Sequence, residues 1–171
     1  GDIIYKDMNG DGFIDGANQW RIGKNSFPRG NYGIYANLSW KGFSANILFQ
    51  GATSRDMYIE DVVRGQSTGG YTMVYPYQMD YWMPDNTNAK FPRIAMNSSV
   101  NGNNNYVTSD FWLVNGRYIR LKSLQLGYDF RSVLLKNIKW LYKCQVVLSG
   151  QNLFTISPAT KYGFDPENGS T

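Results

Sequence analysis

The sequence predicts an all-β fold of antiparallel strands, and three observations lead to that prediction. Two stretches of the chain alternate apolar and polar residues with period two, as strands with one apolar face do. The composition is rich in Gly (18 residues) and in aromatics (13 Tyr, 9 Phe and 5 Trp), which is typical of strands joined by turns. No apolar run approaches the roughly 18 residues that a membrane-spanning helix needs.

The first alternating stretch runs from Asn31 to Gln50 and predicts a hairpin. One face would carry Ile34, Ala36, Leu38, Trp40, Phe43, Ala45, Ile47 and Phe49. The other face would carry Tyr35, Asn37, Ser39, Lys41, Ser44, Asn46, Leu48 and Gln50. A tight turn at Lys41–Gly42 would join two arms of about ten residues, the length of a tilted strand that crosses a bilayer.

The second alternating stretch predicts another hairpin, with a first arm from Tyr118 to Phe130. Part-way along this arm the apolar residues change from odd to even positions. A β-bulge near Lys122–Ser123 would place the apolar residues of both halves on one face. The connection after Phe130 is predicted to contain one helical turn. The return arm would place Tyr142, Cys144, Val146 and Leu148 on one face and Lys143, Gln145, Ser149 and Gln151 on the other.

Aromatic residues flank the turn end of both hairpins: Trp40, Phe43, Tyr128, Phe130, Trp140 and Tyr142. Aromatic side chains at one level are typical of the interface of a membrane barrel. In that architecture Ile34, Leu38, Ile47, Val146 and Leu148 would face lipid, and Asn37, Ser39, Asn46, Gln145 and Ser149 would face the lumen. A soluble β-sandwich alternates in the same way, so the strand pattern leaves both architectures open. The long connection over residues 52–111, opposite the short turns, favours the outer-membrane barrel.

The composition excludes several kinds of site. The chain has no His and a single Cys, Cys144, which excludes an internal disulfide, a Cys/His zinc site and a His-dependent triad. The net charge is +4 with scattered cations, so no nucleic-acid partner is expected. Asp56, Glu60 and Asp61 form an acidic cluster, but the neighbouring arginines indicate a solvated turn. No catalytic residue is predicted, and the protein is not expected to be an enzyme.

The stretch "DMNGDGFID" has the spacing of a calcium-binding loop. The predicted ligands are the side chains of Asp7, Asn9, Asp11 and Asp15 and the backbone carbonyl of Phe13. Gly12 would take the sharp turn at the sixth position. The twelfth position is Asn18, where an EF-hand has a bidentate Glu, so a bound Ca²⁺ would be weak and structural, with a dissociation constant of roughly 10⁻⁴–10⁻³ M. The alternative is a turn closed by Asx side chains with no ion.

Two aromatic residues in the long connection are weak candidates for binding substrate. Tyr81 and Trp82, in "YWMPDNTNAKFPR", could stack on sugars. Packing of the long connection is the favoured role for both rings, because buried aromatics mostly supply contact area.

Six phrases occur in the order "GDIIYKDMNGDGFID", "NYGIYANLSWKGFSANILFQGA", "YWMPDNTNAKFPR", "SDFWLVNGRYIRLKSLQLGYDF", "VVLSGQNLFT" and "YGFDPE". Together they resemble the C-terminal part of the SusC/RagA family of TonB-dependent outer-membrane receptors of Bacteroidota, over nearly the whole chain. The resemblance implies a transmembrane barrel of about 22 strands with an N-terminal plug. It implies import of oligosaccharides, peptides or similar nutrients, a SusD-like surface lipoprotein as a lid, and energy from the TonB system acting through the plug.

The resemblance gives an expected organisation for a chain that is a piece of a longer receptor, whose plug, TonB box and final strand lie outside it. Residues 1–29 would be an external loop with the calcium-type motif, 30–51 a membrane hairpin, and 52–111 a long external loop. Residues 112–156 would be a second membrane hairpin with a short periplasmic turn, and 157–171 the start of the next external loop. The expected location is the cell outer membrane. The alternative is a secreted, calcium-stabilised adhesin or carbohydrate-binding β-sandwich.

Overall fold

A computed structural model describes residues 1–59, 75–94 and 104–168. Four long strands form one sheet: β1 (Asn31–Trp40), β2 (Phe43–Ala52), β5 (Tyr118–Asp129) and β6 (Gln145–Ile156). Two short strands, β3 (Asp56–Tyr58) and β4 (Leu113–Asn115), form a second sheet. The long strands are antiparallel in the order β1-β2-β5-β6, which confirms the two predicted hairpins.

The two-residue turn between β1 and β2 follows from its sequence. Lys41 and Gly42 both have positive φ, at 44° and 87°. This is the conformation of a type I′ turn, whose twist matches that of the flanking strands. Gly adopts it without steric cost, whereas Lys41 adopts it less readily. The register then pairs Trp40 with Phe43 directly across the turn.

A β-bulge lies where the phase change in the second hairpin predicts it. Leu48 pairs with Ser123 and the next residue, Phe49, pairs with Leu121, so Lys122 is an extra residue in β5. On the other side β6 carries its own extra residue near Asn152, whose φ is 51°. The predicted bulge is therefore confirmed. It keeps the apolar residues before and after it on one face of the sheet.

The sheet has one apolar face and one polar face, and the apolar face is exposed. Ile34, Leu38, Val146 and Leu148 lie on the apolar face with relative exposures of 57%, 59%, 61% and 70%. Within the described ranges the only other sheet is the two-stranded one, and it does not form a layer over these side chains. A soluble sandwich would bury such a face under a second sheet.

Three of the aromatic residues at the turn end, Trp40, Phe43 and Tyr128, lie side by side across the strands, whereas Trp140 and Tyr142 lie outside the strands because β6 begins only at Gln145. Phe43 pairs with both Trp40 and Tyr128, and the Phe43 and Tyr128 ring centroids are 4.4 Å apart. The predicted helical turn, α1 (Phe130–Val133), follows β5. The connection from 130 to 144 is longer than the short turn expected, and hydrogen bonds from Arg131 to two of its carbonyl groups hold it in place.

The opposite end of the sheet carries a folded cap, which the sequence analysis describes only as a long connection. The cap has its own core of Met57, Ile59, Phe91, Trp112, Val114, Ala159 and Phe164. The cap contains short 3-10 helices at Pro76–Met79, Asp110–Trp112 and Pro158–Tyr162, and the last two contribute Trp112 and Ala159 to this core. In the part of the chain that the structure describes, no helix is long and apolar enough to cross a membrane.

Candidate functional site

The calcium-type loop is closed by the first of its predicted ligands. The Asp7 carboxylate accepts hydrogen bonds from the backbone N–H groups of Asn9, Gly10 and Gly12, at 3.2, 2.7 and 2.8 Å. Gly10 and Gly12 have φ of 78° and 84°, a conformation that residues with a Cβ rarely adopt. The hydrogen bond from Gly12, followed by that from Gly10, lowers the pKa of Asp7 below its ordinary value.

The other predicted ligands are also engaged with the backbone or with each other. Asp11 accepts from the Phe13 N–H at 2.8 Å and from the Asn9 side-chain amide at 2.8 Å. Asp15 accepts from the Ala17 N–H at 2.8 Å and caps the 3-10 helix Gly16–Asn18.

Asn18, at the position of the EF-hand Glu, closes the loop from its far side. Its side-chain oxygen accepts from the Met8 N–H at 2.6 Å, and its amide donates to the Phe13 carbonyl at 2.8 Å. This carbonyl is one of the predicted ligands. Among the described residues, no group of three or more His, Cys, Asp or Glu side chains is arranged to hold a metal ion.

The fit of this loop to calcium is therefore partial. Backbone N–H groups surround the Asp7 carboxylate, and Asp7, Asp11 and Asp15 do not form a group that could hold an ion in this conformation. A carboxylate oxygen that accepts one N–H retains a second lone pair for a cation. Calcium at this loop stays a prediction.

The two candidate substrate-binding aromatics are half-buried in the cap. Tyr81 packs against the cap core, and its backbone pairs with Phe91. The Trp82 ring lies against Gly1, where a Cβ would approach within 2.4 Å of the ring. Both rings thus contribute packing contacts in this structure.

The acidic cluster is only partly described. Glu60 and Asp61 lie outside the described residues. The Asp56 carboxylate accepts from the Lys24 N–H at 2.7 Å. Its neighbour Arg55 is buried and donates to the carbonyl groups of Pro166 and Asn168 at 3.0 and 3.5 Å. These contacts tie separate segments of the cap together.

A network of charges on the polar face of the sheet is a feature that the sequence analysis misses. Arg120, whose side chain is 6% exposed, donates to Thr155 on the neighbouring strand at 2.7 Å and to Glu167 at 2.7 Å. Arg120 also pairs with Asp165, and Lys122 pairs with Glu167 at 2.9 Å. We call Arg120, Lys122, Asp165 and Glu167 the strand clamp. It holds the segment after β6 against the polar face.

The electrostatics of the clamp favour its charged state. Burial alone would raise the pKa of the Asp165 carboxyl, but the hydrogen bonds from Arg120 and from the Glu167 N–H outweigh burial and lower it. The signal for this network in the sequence is two cations, Arg120 and Lys122, on an otherwise amphipathic strand and two carboxylates in "FDPE". The sequence does not show which charges meet.

The N-terminal segment is fixed to the cap by polar contacts. Asp2 accepts two hydrogen bonds from the Arg93 guanidinium, at 2.6 and 3.0 Å, and a third from the Asn105 amide. The hydrogen bonds that Arg93 donates to the Asp2 carboxylate raise the pKa of Arg93. Ile3 donates to the Asn105 side chain at 2.8 Å. The calcium-type loop therefore extends from an anchored segment of the cap.

Comparisons with known proteins show which proteins the chain resembles. The chain is 28% identical, over 99% of its length, to TonB-dependent receptor P39 of Formosa agariphila, and 30% identical, over 98%, to TonB-dependent receptor P3 of the same organism. The structure of the RagAB peptide importer in the open-open state matches 93% of the chain with a TM-score of 0.65 at 23% identity. The chain resembles TonB-dependent receptors in sequence, and its fold is that of the RagA barrel region. A second structure, of the RagAB peptide transporter, matches 91% of the chain with a TM-score of 0.62 at 23% identity.

The SusC/RagA-type match covers a small part of each relative. The chain spans 16% and 15% of the length of the two curated receptors, and 17% and 16% of the two RagAB chains. No protein-family model matches the chain. The four-stranded sheet is a segment of the wall of a transmembrane β-barrel in the outer membrane, which confirms the predicted fold class and location over the soluble sandwich.

Proposed function

We propose that this chain forms part of the wall and external cap of an importer that carries nutrients across the outer membrane. In this proposal a SusD-like surface lipoprotein covers the barrel from outside, and the TonB system drives import through a plug. The names of the curated relatives and of the RagAB structures support the proposal.

The observation that carries the proposal is the amphipathic sheet. Leu38, Leu126 and Leu148 lie in one row across the strands on the exposed apolar face. On the opposite face Asn46 pairs with Asn37 and Gln125, so amides lie side by side in the next row. An apolar face suits lipid, and a polar face suits a wet passage.

The proposed nutrient is an oligosaccharide or a peptide. The solved relatives are described as peptide importers and transporters, which supports the peptide. Tyr81 and Trp82 stay weak candidates for contact with the nutrient. Passage through a barrel needs no bond to be made or broken, and no residue is proposed to catalyse a reaction.

A transport experiment on the full-length receptor tests this function. The receptor gene would be deleted and restored, and uptake of labelled oligopeptides and oligosaccharides would be measured in each strain. We expect uptake of one of these classes to need the receptor, the TonB system and the lipoprotein encoded beside it. Unchanged uptake of both classes in the deletion strain would contradict the proposal.

A further inference from the structure

A pocket walled by aromatic rings lies in the cap, between two short segments of the chain. Its described lining consists of residues 75–77, which read Tyr-Pro-Tyr, and residues 161–164, which read Lys-Tyr-Gly-Phe. We call it the aromatic pocket. Its volume is about 330 Å³, which lies within the range of sites for small ligands. Tyr75, Tyr77 and Tyr162 are half-buried, so the three rings are packed into the cap without being fully covered by it.

The rings of the aromatic pocket are held in place by contacts within the cap. Tyr77 meets the rings of Tyr162 and Phe164 edge-on, at centroid distances of 5.5 and 5.7 Å. Tyr75 stacks on Tyr77 at 5.9 Å. The backbone N–H of Tyr75 donates to the side chain of the buried Gln78 at 2.8 Å, and its carbonyl accepts from the Gln78 N–H at 2.9 Å. A ligand would therefore meet a pocket that needs little reorganisation.

The segment that contributes residues 161–164 is held on the polar-face side of the sheet, at its external end. Asp165, the next residue, pairs with Arg120 of the strand clamp. Arg120 lies in one row of the polar face with Gln50 and Thr155, close to the end of β5 that is remote from the turns. The aromatic pocket consequently lies beside the external mouth of the proposed passage.

The lining of the aromatic pocket offers few hydrogen-bonding groups to a ligand. Three of its backbone N–H groups, those of Tyr75, Gly163 and Phe164, already donate to other groups of the cap. A sugar ring carries several hydroxyl groups, and leaving them without partners in such a pocket would cost free energy. A neutral apolar group needs no such partners.

The charges at the aromatic pocket also disfavour a cationic ligand. Its described lining contains no carboxylate. The cation in that lining, Lys161, is exposed and forms no salt bridge with a described residue. A basic side chain would gain from the ring faces but would be repelled by Lys161 and would find no acid to pair with. An apolar side chain satisfies both conditions.

We propose that the aromatic pocket binds one apolar side chain of an imported peptide and selects peptides that carry an aromatic or large aliphatic residue at that position. This inference rests on the proposed function, with a peptide as the nutrient. A phenylalanine side chain would displace water from the rings of Tyr75 and Tyr162, whereas glycine would leave the rings wet. The cap thus contributes a specificity site at the mouth of the passage.

Peptide binding to the purified full-length receptor, assembled with the lipoprotein encoded beside it, tests this proposal. The probes are three pentapeptides of glycine and serine whose central residue is phenylalanine, glycine or lysine. Burial of one large apolar side chain should make the wild type bind the phenylalanine peptide on the order of 10–100-fold more tightly than the other two. The ratio of affinities compares peptides on one preparation, so it does not depend on the fraction of receptor that is folded.

Variants of the lining and a matched control assign the preference to the aromatic pocket. Tyr75→Ala and Tyr162→Ala each remove one ring, so each should lower the ratio about 2- to 10-fold. The control, Tyr58→Ala, removes another half-buried tyrosine that packs against the same core but does not line the pocket, and it should keep the wild-type ratio.

Four results would overturn the proposal. The first is equal binding of the three peptides by the wild type, and the second is binding of none of them. The third is a wild-type ratio in both pocket variants, or an equal fall in the control. The fourth is a neutral oligosaccharide that displaces the phenylalanine peptide and binds more weakly to Tyr75→Ala, which would assign the pocket to a sugar. Import of peptides without preference among the three would overturn this inference alone, whereas unchanged uptake in the deletion strain would contradict the transport function itself.

Discussion

Removing Glu167 should loosen the segment that the strand clamp holds against the barrel wall. Glu167 accepts from Arg120 at 2.7 Å and from Lys122 at 2.9 Å, and it is 22% exposed. Breaking a buried ion pair by removing one partner costs about 3–5 kcal/mol. Arg120 keeps its contacts to Asp165 and Thr155 in the variant. We therefore expect Glu167→Ala to lower the free energy of opening the segment by less than this, about 2 kcal/mol.

Hydrogen exchange on the full-length receptor measures this cost locally. The Asn168 N–H donates to the Asp165 carbonyl at 3.1 Å, and it should exchange about 30-fold faster in the variant if opening is 2 kcal/mol easier. Asp85→Ala removes an exposed carboxylate elsewhere in the cap and should leave this exchange unchanged. If Glu167→Ala also left it unchanged, the clamp would not hold the segment and the reasoning from buried charge would be refuted.

Three further predictions concern other parts of the chain. Calorimetry on the full-length receptor should detect Ca²⁺ binding with a dissociation constant of roughly 10⁻⁴–10⁻³ M, and Asp11→Ala should abolish it. Equal heats of binding for the wild type and the variant would indicate that the loop is a turn that binds no ion. Leu38→Arg on the apolar face should destabilise the barrel by roughly 2–4 kcal/mol if Leu38 lies near the midplane of the membrane, whereas Ser39→Arg on the polar face should be tolerated. Equal losses of stability for the two variants in unfolding experiments would contradict the assignment of faces. Because the pKa of Asp165 is lowered in the folded state, its ion pair stabilises the segment fully above the ordinary carboxyl value of 3.8 and is lost as the pH falls through the lower folded-state value. Hydrogen exchange in this segment, corrected for intrinsic rates, should therefore accelerate only below about pH 4. The acceleration should be smaller in Asp165→Asn, which has no carboxyl group to protonate at this position.

The wall of the barrel could be predicted because its determinants are local. Alternation along each strand fixes which side chains share a face, and a phase change within one strand locates the bulge at Lys122. The turn at Lys41–Gly42 follows from two adjacent residues. Each of these features can be read from a short window of sequence.

The cap and the clamp could not be predicted, because their contacts join residues that are far apart along the chain. Trp112 packs in one core with Met57 and Phe164, and no periodic pattern marks these residues as a set. Arg120 meets Glu167 only because the chain folds back over the polar face after β6. The calcium-type motif is local, yet its spacing alone does not set the direction of each carboxylate.

Thiol accessibility in intact cell envelopes tests the central claim most directly. Single cysteines would be placed at Leu38 and Val146 on the apolar face and at Asn37 and Gln145 on the polar face, in a full-length receptor carrying Cys144→Ser. A small, charged, water-soluble thiol reagent should modify the polar-face positions and spare the apolar-face positions, because lipid excludes the reagent from the latter. Modification of the apolar-face positions with protection of the polar-face positions would contradict the assignment of this sheet to a membrane barrel wall.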